Sequence, residues 1–360
     1  MTLYELRLWR DLALEKLALA FAPLRAHPWM TGLVLLVVLI VTLVVLAVRH
    51  VTTLSQAPVF LRAGAEGYVD VVVPPGASAR TVAQLVAEKM ETTQEAVLRA
   101  LRQNQGAIHA GRYRFGNNET LNTIASRLTS GAVEQGTLRI ADGMTIWQLR
   151  SALAAEADLM NRTGSMSEAE LLQAIGATET SLEGLFAPET YKFNSGTSDL
   201  VVLKMAYQRQ KRLMETLWSQ RDPELRLKTP YEALILASII EKETSHPEDR
   251  PLVSSVFHNR LRIRMPLQTD PTIIYGLGES FDGNIRRSDL QRPGPYNTYR
   301  NYGLPPTPIA MPSRASIEAA LHPAKTKYLY FVARGDGTTQ FSTHLDSHNR
   351  AVNKFQRGGR

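Results

Sequence analysis

At 360 residues the chain exceeds one ordinary domain, and its 44% apolar content supplies real cores rather than a disordered tail. It has no cysteine, which excludes disulfides, thiol catalysis and thiolate metal sites and fits an oxidising compartment. A net charge of +7 suits phospholipid or an acidic polymer as neighbour. No helix-turn-helix, finger or aromatic RNA-binding signature accompanies that charge, so nucleic acid is not an expected partner.

Residues 1–28 form the first segment and hold a modest amphipathic stretch, Leu3 to Leu24, suited to the inner membrane face or to a partner helix. Thr31 to Val48 then runs eighteen residues without a charge, and Trp29 and Met30 extend it. This predicts a single transmembrane helix over 29–48 with an interfacial aromatic at one end. Arg7, Arg10, Lys16 and Arg25 precede it, against Arg49 and Arg62 after it. The positive-inside rule therefore puts the N-terminus in the cytoplasm and everything beyond about residue 50 outside. A cleaved signal peptide would have a shorter apolar core and a small-residue cleavage site, whereas Val48-Arg49-His50 follows here. A retained anchor in the inner membrane is the expectation, with residues 49–67 as linker.

A phrase then repeats. Val71-Val72-Val73 leads through Pro75-Gly76 and Ser78 into Thr81 to Leu85. Tyr113-Arg114-Phe115 leads through Asn117-Asn118 and Thr120 into Leu121 to Leu128. Leu138-Arg139-Ile140 leads through Asp142-Gly143 and Thr145 into Ile146 to Leu149. Each is a β-branched or aromatic strand, a turn, a Ser or Thr at an N-cap, and an apolar helix. Such units predict an α+β module over 68–158, and they are similar to the LysM-type modules that bind N-acetylated glycans.

Residues 159–360 are a separate mixed α+β region. A mostly helical section is expected over about 165–225. Thr229-Pro230-Tyr231-Glu232 reads as a capping box, and Leu234 to Ile240 is apolar but for Ser238. The helix over 230–243 is thus buried on most faces, and it ends on Glu241 and Glu243. The two glutamates are about 200° apart around the helix and cannot share a face. Glu243 lies over Ile239 and Ile240, the more apolar side, which favours it as a carboxyl that keeps its proton near neutral pH. Such a group is equipped for general-acid catalysis on a glycosidic bond; the alternative is a solvated helix end.

A second helix is expected at 249–264, a loop-rich stretch at 265–312, a hairpin joining 328–332 to 339–342, and a terminal helix at 346–356. Gln268, Tyr296, Asn297 and Tyr299 offer hydrogen bonds and stacking faces for a sugar. Asp270 is either a second acid or a turn residue before Pro271. Arg260, Arg262 and Arg264 either contact carboxylates or favour a helix C-terminus. His344 and His348 have metal-gripping spacing without a third ligand nearby, so no metal is expected.

Seven motifs in order carry a closer resemblance: ASIIEKET at 237–244, SVFHNRL at 255–261, LQTDPTIIYG at 267–276, YNTY at 296–299, GLPPTPIAMP at 303–312, HPAKTKYLYFV at 322–332 and SHNRAV at 347–352. The chain resembles the MltG/YceG family of endolytic murein transglycosylases, anchored in the bacterial inner membrane. The resemblance implies a lytic transglycosylase domain over 159–360, with Glu243 as the catalytic residue and no cofactor. It implies cleavage between N-acetylmuramic acid and N-acetylglucosamine within nascent peptidoglycan, leaving an anhydro end. It further implies cell-wall synthases (penicillin-binding proteins) as partners. Gln268, Asp270, Tyr296, Asn297, Tyr299 and Glu241 are the supporting candidates. One departure stands out: Glu189 occupies the position where the family phrase LFPDTY has Asp. A glycan-binding scaffold, and a muramidase-type hydrolase using Glu243 and Asp270, are the alternative readings.

Overall fold

The computed structural model of the protein describes residues 16, 28–56, 58–62 and 67–358. The amphipathic stretch Leu3 to Leu24 lies, apart from Lys16, outside the described residues. The chain divides into two units, Met1–Ala132 and Val133–Arg360.

In the first unit, α1 is Pro28–Gln56, with side chains described over residues 32–46 and again at Gln56. Every side chain over 32–46 is exposed, the large apolar ones between 40% and 69%. Among the described residues no helix is long and apolar enough to cross a membrane; the span expected at 29–48 runs past the described side chains at both ends. The expected linker 49–67 is not plain coil. It remains helical to Gln56 and then contributes β1, Pro58–Val59, because Val59 buries against the unit and pairs there.

The unit continues with β2 (Tyr68–Val73), α2 (Ala79–Lys89), α3 (Gln94–Gln103), β3 (Gly111–Gly116), β4 (Glu119–Thr120) and α4 (Leu121–Ser130). β2 and β3 run antiparallel with Val71 opposite Tyr113, and β1 pairs with β4. Ser78, Thr93 and Thr120 cap their helices by accepting a backbone N–H. Alternation along the strands sends Val71, Val73, Tyr113 and Phe115 inward against Val82, Val86, Ile124 and Leu128.

The second unit begins with β5 (Gln135–Arg139), α5 (Ile146–Ala155), β6 (Leu159–Met160), α6 (Glu168–Ile175), β7 (Thr190–Asn194), β8 (Thr197–Ser198) and α7 (Asp199–Ser219). Here the domain reading needs correction. The third strand-turn-helix phrase was expected to close the module at 158, yet β5 pairs antiparallel with β7 and belongs to the second unit. Gly136 makes that pairing possible, since a Cβ there would stand 2.5 Å from the Phe193 ring. The same pairing places strand within a section expected to be mostly helical.

Helix α8 (Pro230–Glu243) has the predicted bounds. Thr229 accepts the Glu232 N–H at 3.1 Å, while the Glu232 carboxylate turns to the Lys228 N–H instead of closing the box on Thr229. Ala233 to Ile240 are all buried, packed by α7 and, among the elements that follow, by α9 (Arg250–Arg262), α10 (Asp270–Leu277) and α12 (Arg314–Leu321), with α11 (Arg287–Gln291) lying between α10 and α12 in the chain. The stretch expected as loop therefore contains two helices. Strands β9 (Tyr330–Ala333) and β10 (Thr339–Ser342) form the predicted hairpin, and α13 (Leu345–Phe355) ends the fold.

Ser238, the one polar break in the α8 run, fastens a loop to the helix. Its hydroxyl donates to the Ile235 carbonyl at 2.7 Å and accepts the buried Ile309 N–H at 3.0 Å. Ser238→Ala would strand that N–H, and the expected loss is about 1–3 kcal/mol in chemical denaturation. A loss below about 0.5 kcal/mol would mean the loop is held by packing alone.

Candidate active site

Burial of α8 carries its last residue into the floor of a groove. The groove is a cavity of about 550 Å³ bordered by Glu243, Arg260, Gln268, Asp270, Tyr299 and Tyr330. Glu243 is half-buried by accessible surface, yet its carboxyl is hemmed in by protein on the inner side. It thus meets solvent through the groove and low-dielectric surroundings behind.

The Thr269 hydroxyl donates to Glu243 Oε1. Thr269 is itself fixed: its N–H goes to Thr298 Oγ1 at 3.1 Å, and the Thr272 and Thr298 hydroxyls meet at 2.9 Å. The neighbouring Gln268 N–H reaches the Thr298 carbonyl at 3.0 Å. This threonine cluster locks the start of α10 to the YNTY loop. Gln268 adopts φ +48, a left-handed conformation that side-chain-bearing residues seldom take outside constrained sites.

Electrostatics follow from the packing. Burial pushes the Glu243 carboxyl up to about 7; the Thr269 hydrogen bond opposes this, the Asp270 charge adds to it, and Arg260 offsets part of it. Asp270 Oδ1 accepts the Tyr299 hydroxyl at 2.6 Å, and burial followed by that bond pushes the Tyr299 phenol up. Asp270 heads α10, with Pro271 in the first turn, rather than a simple turn.

The other candidates fall elsewhere. Glu241 points to the opposite side, where its carboxylate accepts the Ser313 N–H at 2.9 Å and the Ser313 hydroxyl, and lies 3.9 Å from Arg250. It caps α12. Asn297 is buried and holds the carbonyls of Leu290 and Arg292 at 3.0 and 2.7 Å. Tyr296 meets Thr307 Oγ1 at 2.7 Å and packs on Tyr275. Neither Tyr296 nor Asn297 lines the groove. Glu189 forms a surface ion pair with Arg209. Arg262 and Arg264 are exposed, whereas Arg260 is buried and borders the groove. His344 sits exposed at the start of α13, and His348 reaches the groove wall. Among the described residues no cluster of three or more His, Cys, Asp or Glu could hold a metal ion.

Sequence reading missed Thr269, Thr298 and Tyr330. For Thr269 the signal was available, since it adjoins Gln268 and Asp270. Thr298, buried behind the groove, sits between the named Asn297 and Tyr299, whereas Tyr330 lines the groove from a distant strand and nothing local marks it.

The arrangement can hold one proton at a solvent-facing carboxyl and keep that group in place. Because the folded state binds this proton more tightly than the ordinary carboxyl value of 4.5, its stabilising effect is complete below about 4.5 and is lost as pH rises through about 7. Glu243→Gln cannot ionise. Its melting temperature should therefore gain on the parent between pH 5 and pH 8, by a few degrees. A constant difference across that range would contradict a raised Glu243 pKa.

Comparison with known proteins places the chain among relatives. The chain is 32% identical over 307 residues to the endolytic murein transglycosylase of Bacillus subtilis (strain 168), covering 80% of this chain and 84% of that one. It is 28% identical over 328 residues to the endolytic murein transglycosylase of Streptococcus pneumoniae serotype 2 (strain D39 / NCTC 7466), spanning 81% of this chain and 59% of that protein's length. A crystal structure of a yceG-like protein from Listeria monocytogenes superposes with a TM-score of 0.51 at 27% identity, covering 79% of this chain and 99% of the other. The model of the YceG-like family matches residues 71–354, both units included, and the chain belongs to that family.

Proposed function

We propose that this protein is a membrane-anchored lytic transglycosylase of peptidoglycan that cuts within glycan strands. The observation that carries the reading is Glu243: one carboxyl, raised to about 7, on the floor of an open groove and gripped by Thr269. The relatives' shared name, endolytic murein transglycosylase, supplies the substrate.

The reaction needs one acid. Protonated Glu243 gives its proton to the oxygen between N-acetylmuramic acid and N-acetylglucosamine as the C1–O bond breaks. The resulting carboxylate takes the proton of the muramic acid 6-hydroxyl, whose oxygen bonds to C1 and closes an anhydro ring. No water is consumed, and Glu243 ends protonated as it began. Acid then base at one residue follows retaining glycosidases, with the sugar's own hydroxyl in place of a second carboxylate. Thr269 stabilises the carboxylate stage, and Gln268, Asp270 and Tyr299 present polar groups to the sugars.

The anchor belongs to the same reading. Helix α1 exposes Leu, Val and Ile on all sides over its described side chains, which suits lipid better than water. With the positive-inside asymmetry it would hold the catalytic unit on the outer side of the inner membrane, next to nascent strands and their synthases. The two strand-helix phrases of the first unit, over 68–130, would act as a LysM-like glycan grip. Asp270 borders the same groove, so hydrolysis by a carboxyl pair is the competing chemistry.

Product ends decide. Protein incubated with purified glycan strands should yield anhydro-muramic ends by mass spectrometry. Reducing ends would instead indicate a hydrolase, and uncut strands a scaffold. Glu243→Gln should lower turnover by roughly 10²–10⁴-fold while the fold persists, and Glu241→Gln much less. The parent's rate should fall as pH rises through about 7, where the acid loses its proton. Full activity in folded Glu243→Gln would refute the assignment.

A further inference from the structure

One wall of the groove is built for something other than a neutral sugar. Arg260 is 7% exposed. Its Nε donates to the Leu329 carbonyl and its Nη1 to the Leu267 carbonyl, both at 2.7 Å. Nη2 makes no hydrogen bond among the described residues, and no described carboxylate forms an ion pair with the guanidinium. Glu243 lies near enough to feel the charge, but it keeps its proton to about 7 and then hands it to substrate. A buried cation without a counter-ion is costly, and one that faces a groove is ready to be neutralised by a ligand.

A second polar group stands beside it without a partner. The Tyr330 ring is flanked by the Arg260 guanidinium, 5.4 Å from its centroid, and by the His348 imidazole, stacked at 5.2 Å. His348 Nδ1 is buried and unbonded. Burial and then the Arg260 charge lower the proton affinity of this imidazole. Asn349 and Gln356, on the same helix α13, add amides to the groove lining.

We propose that Arg260 and His348, with Asn349 and Gln356, form a subsite for a carboxylate on the peptide branch of the glycan. The inference rests on the murein-cleaving reading above and names which part of that substrate this wall takes. A planar monoanion matches one fixed guanidinium with a free edge. A phosphate dianion would call for further cations, and an acetamide would leave the charge uncompensated. The carboxylate receives a hydrogen bond from Arg260 Nη2 and one from the imidazole or an amide. Cleavage would then favour strands whose peptides carry free acids over bare or amidated ones.

The test uses the full chain in detergent and two preparations of one glycan polymer, with peptide carboxylates free or converted to amides. The parent should show a KM about tenfold or more lower on the free-acid polymer, with kcat little changed, as expected for one charge-assisted contact. Arg260→Lys should lose most of that preference. Should it fail to fold, His348→Ala should raise KM several-fold on the free-acid polymer and leave the amidated polymer unaffected. Equal parent KM on both polymers would overturn the subsite. If neither polymer is cut, the proposed reaction fails instead. The subsite is then judged by titrating a γ-glutamyl dipeptide against the His348 ring resonances: saturable shifts in the parent and not in Arg260→Lys support it, and their absence sinks it.

Discussion

The site depends on one constraint: a helix apolar on nearly every face must be enclosed, and it ends on acidic residues. Enclosure of α8 by α7, α9, α10 and α12 brings its C-terminus into the protein rather than into water. A carboxylate is least welcome there, because desolvation and the negative end of the helix dipole both oppose the charge. The fold resolves this differently for the two acids. Glu241 meets the Ser313 N–H at the start of α12 and a nearby Arg250, an anion placed at a helix N-terminus. Glu243 receives a single hydroxyl and the open groove. One glutamate becomes structural and the other remains available for proton transfer.

Much of this was legible from local chemistry. Thr229, Pro230 and the apolar run mark α8 to the residue, and the neighbours at Ile239 and Ile240 distinguish Glu243 from Glu241. The hairpin and the terminal helix follow from turn residues and periodicity. What escaped were decisions made between distant segments. The β5 strand looks like the third of three similar phrases, yet its partner is β7, and no local pattern distinguishes that pairing from one with β3. Asn297 and Tyr299 are two residues apart in a polar loop. One turns inward to satisfy three backbone carbonyls, while the other reaches Asp270. Arg260 at a helix C-terminus looks like an ordinary dipole partner until two carbonyls from different segments draw it inside.

Helix α10 shows how the pieces are held in register. Its first residues carry Asp270 and adjoin Thr269, which faces Glu243. Near its other end Tyr275 packs between Trp147 and Tyr296, with centroids 4.9 Å away on each side. Tyr275 also bonds to Glu183, whose carboxylate accepts the Ile146 N–H at the start of α5. The short helix is thus pinned at both ends by groups from four other segments. That fixes where the Thr269 hydroxyl stands relative to Glu243, the kind of positioning on which a single acid–base residue relies.

Glu183 also shows that a raised proton affinity does not by itself make a carboxyl accessible to substrate. Burial pushes it up to about 7, as it does Glu243. Its surroundings differ in the respect that matters. Glu183 is 0% exposed and its carboxyl is occupied by a backbone N–H and a phenol, so no substrate oxygen can approach it. Glu243 has one fixed partner and an open side. A raised proton affinity reports enclosure, which structural acids share. Proton transfer to a substrate additionally requires a lone pair or proton left facing the groove, and of these two glutamates only Glu243 has one.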